Sequence, residues 1–355
     1  MNPEFWKDRK VLVTGHTGFK GAWLAAWLSH MGSRVSGLSL EPEDPNLWQL
    51  LQLENRITSH IGDIRDHASI ASSLRDGPEV VFHMAAQSLV RQSYADPVET
   101  FSTNVTGTVA LLQAVSAVPT VRSVVVVTSD KVYENLEEGR PFVETDRFGG
   151  ADPYSASKGA CEIAVWSMYR SLFQSCDTTG IATARAGNVI GGGDWAADRL
   201  VPDIVRGCLY GSGKVFLRAP DSIRPWQHVL DPLSGYLTLA EKLFTDPVSY
   251  STGFNFGPAV GNESNVQSVA QGMIAALGKG EIVHAPDANA PDESKVLRLD
   301  SSRARKLLGW QPVFDFEQAL SVTAEWYAKW HDGADMAAVT ESQIDFYNQR
   351  LGMRT

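Results

Sequence analysis

The 355-residue sequence has little cysteine, no long apolar run and no excess of positive charge. Its three cysteines, Cys161, Cys176 and Cys208, are an odd number without the spacing of a metal site, so we interpret them as reduced packing residues. No stretch approaches the ~18 consecutive apolar residues of a membrane-spanning helix. Lys and Arg number 31 against 41 Asp and Glu, a formal net charge of −10, which excludes a uniformly basic surface for nucleic acid.

Further absences narrow the class of protein. The first ten residues lack the apolar core of a secretory signal. The 30 glycines and 17 prolines are close to an average share, which excludes collagen-like and disordered chains. We therefore expect a soluble, cytoplasmic protein with one large domain or two lobes around a cleft.

What is present in the first half is an alternation of short apolar runs with longer amphipathic stretches. The predicted strands are 10–14, 34–38, 57–61, 80–84, 123–128 and 181–186, and the predicted helices are 20–31, 97–117 (with Asp96 as N-cap and Pro97 in the first turn) and 155–174. Strands that alternate with helices indicate an α/β fold with a doubly wound parallel sheet of the Rossmann type.

The pattern changes after Gly187, where glycine-rich turns separate shorter elements. We therefore predict a Rossmann domain at residues 1–187 and a smaller C-terminal α/β substrate lobe at residues 188–355. A helix near 231–243 is expected to pack back on the first domain.

A glycine motif follows the first strand and opens the first long helix. Gly15, Gly18 and Gly21 have the spacing GxxGxxG, which suits a tight turn, close approach of a pyrophosphate and close helix–strand packing. The second strand lacks the usual terminal acid for an adenosine ribose, although Glu41 lies a few residues later. We predict NAD rather than NADP, because no cation is close to that position.

Other cofactor contacts are expected at the ends of the following strands. Asp63 and Ile64 follow the third strand, where an adenine edge can be read, although Asp63 also fits a simple turn. His16 and Lys20 border the glycine motif and fit either packing or ligand contact. The full predicted cofactor set is Gly15, Thr17, Gly18, Phe19, Gly21, Asp63, Ile64, Ala85, Ala86, Gln87, Thr103, Tyr154 and Lys158.

Tyr154 and Lys158 lie one helical turn apart, and Ser129 follows the fifth strand. The carboxyl ends of parallel strands are where doubly wound proteins place their chemistry. A lysine cation and an oxidised nicotinamide favour the phenolate of a tyrosine, whose ordinary pKa is ~10. Ser129 can hold the substrate hydroxyl that loses its proton, so these three residues predict a hydride-transfer site.

The chain resembles the extended short-chain dehydrogenase/reductase family. The resemblance rests on TGHTGFKG, the Tyr154/Lys158 pair, Asn104 in STNVTGT and the segment 299–310. The strings HIGDIRD, VFHMAAQSLVR, TSDKVY, RAGNVIGGGDW and RPWQHVLDPLSGY are similar to nucleotide-sugar 4,6-dehydratases, above all those that act on CDP-glucose. This implies tightly held NAD, a 4-keto-6-deoxy sugar product for dideoxysugar and surface-polysaccharide synthesis, and a homodimer or homotetramer built on helices 97–117 and 155–174.

The resemblance also implies roles for the residues next to Ser129. dTDP-glucose dehydratases carry an Asp-Glu pair there, whereas this chain has Asp130 and Lys131. By position Asp130 is the general acid toward the C6 hydroxyl, and Lys131 replaces the glutamate base. The alternative is that Lys131 only binds anionic groups or orients Asp130.

Substrate contacts are expected from Asn188, Arg199, Arg218, Arg224 and Gln87, with Arg224 the strongest candidate because it lies in a family string. Arg199 and Arg218 fit an ordinary surface or ion-pair role equally well. No metal site is assigned. Two other functions remain open: a nucleotide-sugar epimerase, which needs no acid/base pair at C6, and an inactive NAD-binding regulator.

Overall fold

A computed structural model describes residues 1–175, 177–259, 263–285 and 296–352. The strands are Lys10–Thr14 (β1), Arg34–Ser39 (β2), Thr58–Ile61 (β3), Val80–His83 (β4), Ser123–Val127 (β5), Gly180–Ala186 (β6), Val189–Ile190 (β7), Lys214–Leu217 (β8), Ile223–Arg224 (β9), Gln227–His228 (β10), Gly253–Phe256 (β11), Ser264–Asn265 (β12) and Glu281–His284 (β13). The helices are Pro3–Trp6 (α1), Phe19–His30 (α2), Leu47–Leu50 (α3), His67–Ser73 (α4), Val90–Ala95 (α5), Pro97–Phe101 (α6), Gly107–Val115 (α7), Pro153–Met168 (α8), Leu200–Val205 (α9), Leu230–Thr245 (α10), Pro247–Tyr250 (α11), Val266–Leu277 (α12), Ser302–Leu308 (α13), Phe316–His331 (α14) and Met336–Gly352 (α15).

Seven parallel strands form the central sheet in the order β11-β6-β5-β4-β1-β2-β3. The predicted doubly wound α/β fold is confirmed, and the six predicted strands agree with the structure to within one or two residues at each end. The first strand is central because Val11 pairs with Val35 on one side and with Val80 on the other. A position between two strands explains its continuous apolar sequence.

Helices cover both faces of the sheet. Val11 and Val13 pack with the buried Trp23 and Trp27 of α2, whereas Leu12 belongs to a separate core on the opposite face. This alternation follows from the two-residue period of a strand. Truncating either tryptophan to alanine is expected to cost about 3–5 kcal/mol, as for other large core side chains.

The predicted helix 97–117 begins as expected but is interrupted by one wide turn. The Asp96 side chain accepts a hydrogen bond from the backbone of Glu99 at 2.9 Å, and Pro97 occupies the first turn. A wide helical turn at 102–106 contains Asn104. The Asn104 side chain bonds both backbone groups of Gln87 and donates to Ser157 Oγ at 2.8 Å. Asn104 therefore ties the loop after β4 to α8, the helix that carries Tyr154.

The chain beyond residue 187 contributes to the sheet as well as to smaller elements. β11 is the seventh strand, beside β6, and α10 packs on β5 and β6. Three two-stranded sheets, β7/β10, β8/β13 and β9/β12, lie outside the central sheet. Residues after 187 are thus interleaved with the Rossmann sheet, and the division at 187/188 stays a prediction.

Two expectations from composition can be examined in the described residues. Cys161 and Cys208 are buried and unbridged, whereas Cys176 lies outside the described residues. Across 1–175, 177–259, 263–285 and 296–352, every helix falls short of the length and hydropathy needed to cross a membrane.

Candidate active site

The turn between β1 and α2 is built from backbone. Gly15 has φ +76° and donates its N–H to Leu38 O at 2.8 Å. A Cβ on Gly21 would lie 2.0 Å from the carbonyl oxygen of Gly15. Gly18 is the N-cap of α2 and supplies no capping side chain, so the first N–H groups of the helix have no side-chain cap. This cradle fits the pyrophosphate of a dinucleotide.

His16 and Thr17 in this turn have structural contacts. His16 is buried, its Nε2 lies 2.7 Å from Ser59 Oγ, and burial lowers its pKa to about 4. A Cβ on Gly37 would lie 2.2 Å from the His16 ring. The Thr17 hydroxyl lies 2.6 Å from Ser39 Oγ. Of the two alternatives for His16, the structure therefore supports packing.

The remaining predicted cofactor residues lie along the same edge of the sheet. Asp63 binds the Arg65 guanidinium, with Oδ2 2.5 Å from Nη2, and this pair lowers the pKa of Asp63. Gln87 donates to Thr100 Oγ1 at 2.8 Å and accepts from the backbone of Leu89 at 2.5 Å. Because its side-chain amide has protein partners, ligand contact by Gln87 stays a prediction, as it does for Ile64, Ala85, Ala86, Thr103 and Glu41.

The catalytic candidates converge where β5 ends. Ser129 Oγ donates to Asp130 Oδ1 at 3.0 Å and accepts from the backbone of Lys131 at 3.2 Å. Lys158 Nζ donates to the carbonyl oxygen of Val127 at 3.3 Å, so α8 is fixed to the end of the strand. Ser129, Asp130, Lys131 and Tyr154 line one cleft of about 1300 Å³. The structure thus brings the predicted catalytic residues together.

Burial sets the electrostatics of Tyr154 and Lys158. Burial raises the pKa of Tyr154 to about 12, and a hydrogen bond with Ser129 partly offsets this effect. Burial also lowers the pKa of the Lys158 ammonium. Tyr154 is therefore a neutral phenol in the unliganded protein, and a ligand that carries positive charge must favour its ionised form.

The surroundings of Asp130 favour the protonated form of its carboxyl group. Burial raises its pKa, while the charges of Lys131 and Arg224 and the Ser129 hydrogen bond act in the opposite direction. Oδ2 of Asp130 is buried and has no hydrogen-bond partner among the described residues. A buried carboxyl whose charged form is disfavoured, and whose Oδ2 has no protein partner in the described residues, suits the role of a general acid.

Four predicted substrate residues, Asn188, Arg199, Arg218 and Arg224, line the same cleft. Arg199 is paired with Asp194 at 3.0 Å and Arg218 with Asp198 at 2.8 Å. Arg224 is buried and donates to the carbonyl oxygen of Ile223 at 2.9 Å. The structure leaves their ligand contacts as predictions.

Sequence reasoning missed Arg91, which also lines the cleft and lies 3.6 Å from Asp198. Its position at the end of the string VFHMAAQSLVR was the available signal. Lys20, left open above between packing and ligand contact, lines the cleft too.

A buried ion pair beneath the catalytic loop was also missed. Glu162 accepts from Thr128 Oγ1 at 2.6 Å and from Arg185 Nε and Nη2, each at 2.8 Å. Arg185 Nη1 donates to the hydroxyl of Tyr133 at 2.8 Å. Both members of the pair are almost fully buried. This network holds the two ends of the loop 128–133 against β6 and α8.

Comparison with known proteins agrees with this geometry. Residues 12–323 match the family described as GDP-mannose 4,6 dehydratase. The CDP-glucose 4,6-dehydratase of Salmonella typhimurium is 44% identical over 98% of both chains, and a dTDP-glucose 4,6-dehydratase of Xanthomonas campestris is 30% identical over 89% of this chain and 92% of its own. The structure of a dTDP-glucose 4,6-dehydratase from Bacillus anthracis in complex with NAD has a TM-score of 0.77 at 22% identity, covering 93% of this chain and 99% of the other. The chain therefore belongs to the GDP-mannose 4,6 dehydratase family, a branch of the extended short-chain dehydrogenases/reductases.

Proposed function

We propose that the protein converts CDP-D-glucose to CDP-4-keto-6-deoxy-D-glucose and water, with NAD as a resident cofactor. The observation that carries this proposal is the buried Asp130, which lines the cleft with Ser129 and Tyr154 and whose Oδ2 has no hydrogen-bond partner among the described residues. A hydride-transfer site alone requires no such acid, whereas elimination of a hydroxyl does. The activity is the one named for the relative that is 44% identical.

The glycine cradle holds the cofactor pyrophosphate, and glycine at positions 15 and 21 lets the turn pack closely, since a Cβ there would lie 2.8 Å from Ala85 N and 2.0 Å from Gly15 O. When bound, NAD supplies a hydride acceptor for sugar C4, a hydride donor for C6 and a positive charge near Tyr154. Each unit by which that charge lowers the pKa of Tyr154 stabilises the phenolate by about 1.4 kcal/mol.

The first step is removal of the C4 hydroxyl proton. Tyr154, as the phenolate, accepts this proton, and Ser129 holds the C4 oxygen by a hydrogen bond. Lys158, fixed by its 3.3 Å contact with Val127 O, stabilises the phenolate electrostatically. Loss of the C4 hydrogen as a hydride leaves a ketone at C4, which makes the neighbouring C5 hydrogen acidic.

The second step is elimination of water. Lys131, acting in its neutral amine form, removes the C5 proton and becomes an ammonium ion, and the C5–H electrons form the C5–C6 double bond as the C6–O bond breaks. Asp130 gives its proton to the departing oxygen, which leaves as water. A hydride at C6 and a proton at C5 then complete the product. The alternative for Lys131, which only orients Asp130, stays open and is tested by exchange of the C5 hydrogen in a Lys131→Ala variant.

The same proposal places the enzyme in the cytoplasm, in the synthesis of dideoxysugars for lipopolysaccharide. It also makes the protein a homodimer or homotetramer. Exposed apolar side chains on α6 and α8 support this assembly: Val98 is 77% exposed and Ile163 is 61% exposed.

The test is incubation of the purified protein with NAD and, separately, CDP-, dTDP-, UDP- and GDP-glucose. We expect a 4-keto sugar, detected by its absorbance in alkali, with CDP-glucose above the others. An epimerase would produce no 4-keto product, and an NAD-binding regulator would turn over none of the four sugars. Either result would overturn the proposal.

A further inference from the structure

Lys20 lies in the first turn of α2, between Gly18 and Gly21 of the glycine cradle, and lines the cleft with Ser129, Asp130 and Tyr154. Its Nζ atom lies 6.0 Å from the centre of the Tyr236 ring, which belongs to α10. Two elements distant in sequence therefore hold one ammonium group at the catalytic end of the sheet. The sequence alone left this residue between packing and ligand contact.

The surroundings of Lys20 are charged but offer no direct partner. Arg199 and Lys158 repel its ammonium group, and Asp130 attracts it. Within the described residues this ammonium group has neither a hydrogen bond nor an ion pair. Oδ2 of Asp130 is likewise buried without a partner in that part of the chain. An ammonium group and a carboxyl group that share a cleft without pairing leave room for a small polar group between them.

We propose that Lys20 is a further active-site residue whose ammonium group, with Oδ2 of Asp130, contacts the sugar C6 hydroxyl as it leaves. This inference rests on the proposed dehydratase activity. In the elimination the C6 oxygen takes the Asp130 proton, so water departs and Asp130 becomes a carboxylate. Lys131, in its neutral amine form, receives the C5 proton and becomes an ammonium ion. Lys20 transfers no proton; it donates a hydrogen bond to the leaving oxygen and stabilises the new carboxylate.

The electrostatics of the cleft support this role. Asp130 is buried, so its carboxylate is costly unless cations compensate it. Lys20 is one of the cations that lower the pKa of Asp130, along with Lys131 and Arg224. Burial and the repulsion of Arg199 and Lys158 lower the pKa of Lys20 itself to about 8. The Lys20 ammonium group is therefore mostly charged at pH 7 and loses its proton as pH rises through about 8.

The experiment compares Lys20→Met, which keeps the side-chain length, with Lys20→Arg, which keeps the charge. Lys306→Met, on the exposed face of α13, is the matched control. For Lys20→Met we expect at least a tenfold loss of kcat for keto-sugar formation, with less than a threefold change in KM. The isotope effect of C5-deuterated CDP-glucose should increase and that of C4-deuterated substrate should decrease, since elimination becomes the slow step.

Lys20→Arg should recover most of the rate and move the basic limb of the pH–kcat profile upward from about pH 8. A structural role for Lys20 would leave that limb in place. The proposal is overturned if Lys20→Met keeps wild-type kcat, or if its whole defect is in NAD affinity measured by titration. Absence of keto product from the wild-type protein would instead overturn the proposed function.

Discussion

The turns after β1 and after β5 lie at the same edge of one sheet but are built in opposite ways. The β1 turn is a backbone cradle in which a Cβ on Gly15 or Gly21 would collide with neighbouring backbone atoms. The β5 turn is a set of buried polar side chains. Ser129 and Asp130 line the cleft, and Glu162 of α8 accepts a hydrogen bond from Thr128 at the start of the turn. Cofactor binding therefore depends on close packing of the backbone, whereas catalysis depends on buried polar groups, among them the Asp130 carboxyl, whose Oδ2 has no hydrogen-bond partner in the described residues. Adding a methyl group should damage the first turn, and removing a proton or a charge should damage the second.

The largest expected effect is at Tyr154. Tyr154→Phe removes the hydroxyl that accepts the C4 proton, and kcat should fall by about 10²–10⁴-fold. NAD affinity should stay within a few-fold of wild type, because the cradle is unchanged. Transfer of deuterium from C4 to C6 of CDP-glucose measures the step. Tyr210→Phe, at an exposed tyrosine, is the control; normal deuterium transfer in Tyr154→Phe would remove Tyr154 from the base role.

The next effect is on stability, beneath the catalytic turn. Glu162→Gln leaves the buried Arg185 guanidinium without its charged partner, and we expect a loss of about 3–5 kcal/mol in the free energy of unfolding. The surface pair of Glu325 with Lys329 provides the control, since Glu325→Gln should cost no more than about 0.5 kcal/mol. Urea unfolding measures both. Similar small losses in the two variants would show that the buried network does not support the turn.

The cradle is tested by two glycines with different surroundings. A Cβ on Gly21 meets the Gly15 carbonyl at 2.0 Å, whereas a Cβ on Gly18 has only an ordinary contact with that oxygen at 3.4 Å. Gly21→Ala should therefore lower both Tm and NAD affinity. Gly18→Ala should keep its Tm but lose about tenfold in NAD affinity, or about 1.4 kcal/mol, since its methyl group faces the pyrophosphate. Unchanged NAD affinity in Gly18→Ala would place the pyrophosphate elsewhere.

The sequence predicts the parts of this site that depend on local pattern. Apolar runs locate β1, β4 and β5, and the alternation of strands with helices locates the weaker β3. The rule that parallel strands present chemistry at their carboxyl ends then brings Ser129 next to Tyr154 before any coordinates are known. The spacing of Gly15, Gly18 and Gly21 likewise predicts the cradle, because close packing of a turn against a helix leaves few alternatives to glycine.

The parts that were missed depend on contacts between distant segments. β11 has only four residues, Gly253–Phe256, and becomes a strand because it pairs with β6. Glu162 and Arg185 are ordinary charged residues in sequence, and only the packing of α8 against β6 buries them together. The His16 ring fills the space beside Gly37, a contact set by the pairing of β1 with β2. The hydrophobic periodicity of a single segment cannot predict contacts between segments that are distant in sequence.

The smallest effect expected in the β5 turn concerns pH. Burial raises the pKa of Asp130 in the folded protein, so the folded state favours the protonated carboxyl. Its contribution to stability is complete below the unfolded-state pKa of ~3.9 and is lost as pH rises through the folded-state value.

Asp130→Asn keeps a neutral side chain at every pH. We therefore expect this variant to be inactive in elimination yet more stable than wild type at neutral pH, by about 1.4 kcal/mol for each unit of the rise in pKa. Urea unfolding should show the two proteins converging near pH 4 and separating as pH increases. A variant less stable than wild type at neutral pH would mean that the folded protein stabilises the Asp130 carboxylate. The β5 turn would then lack the destabilised buried acid on which its contrast with the glycine cradle depends.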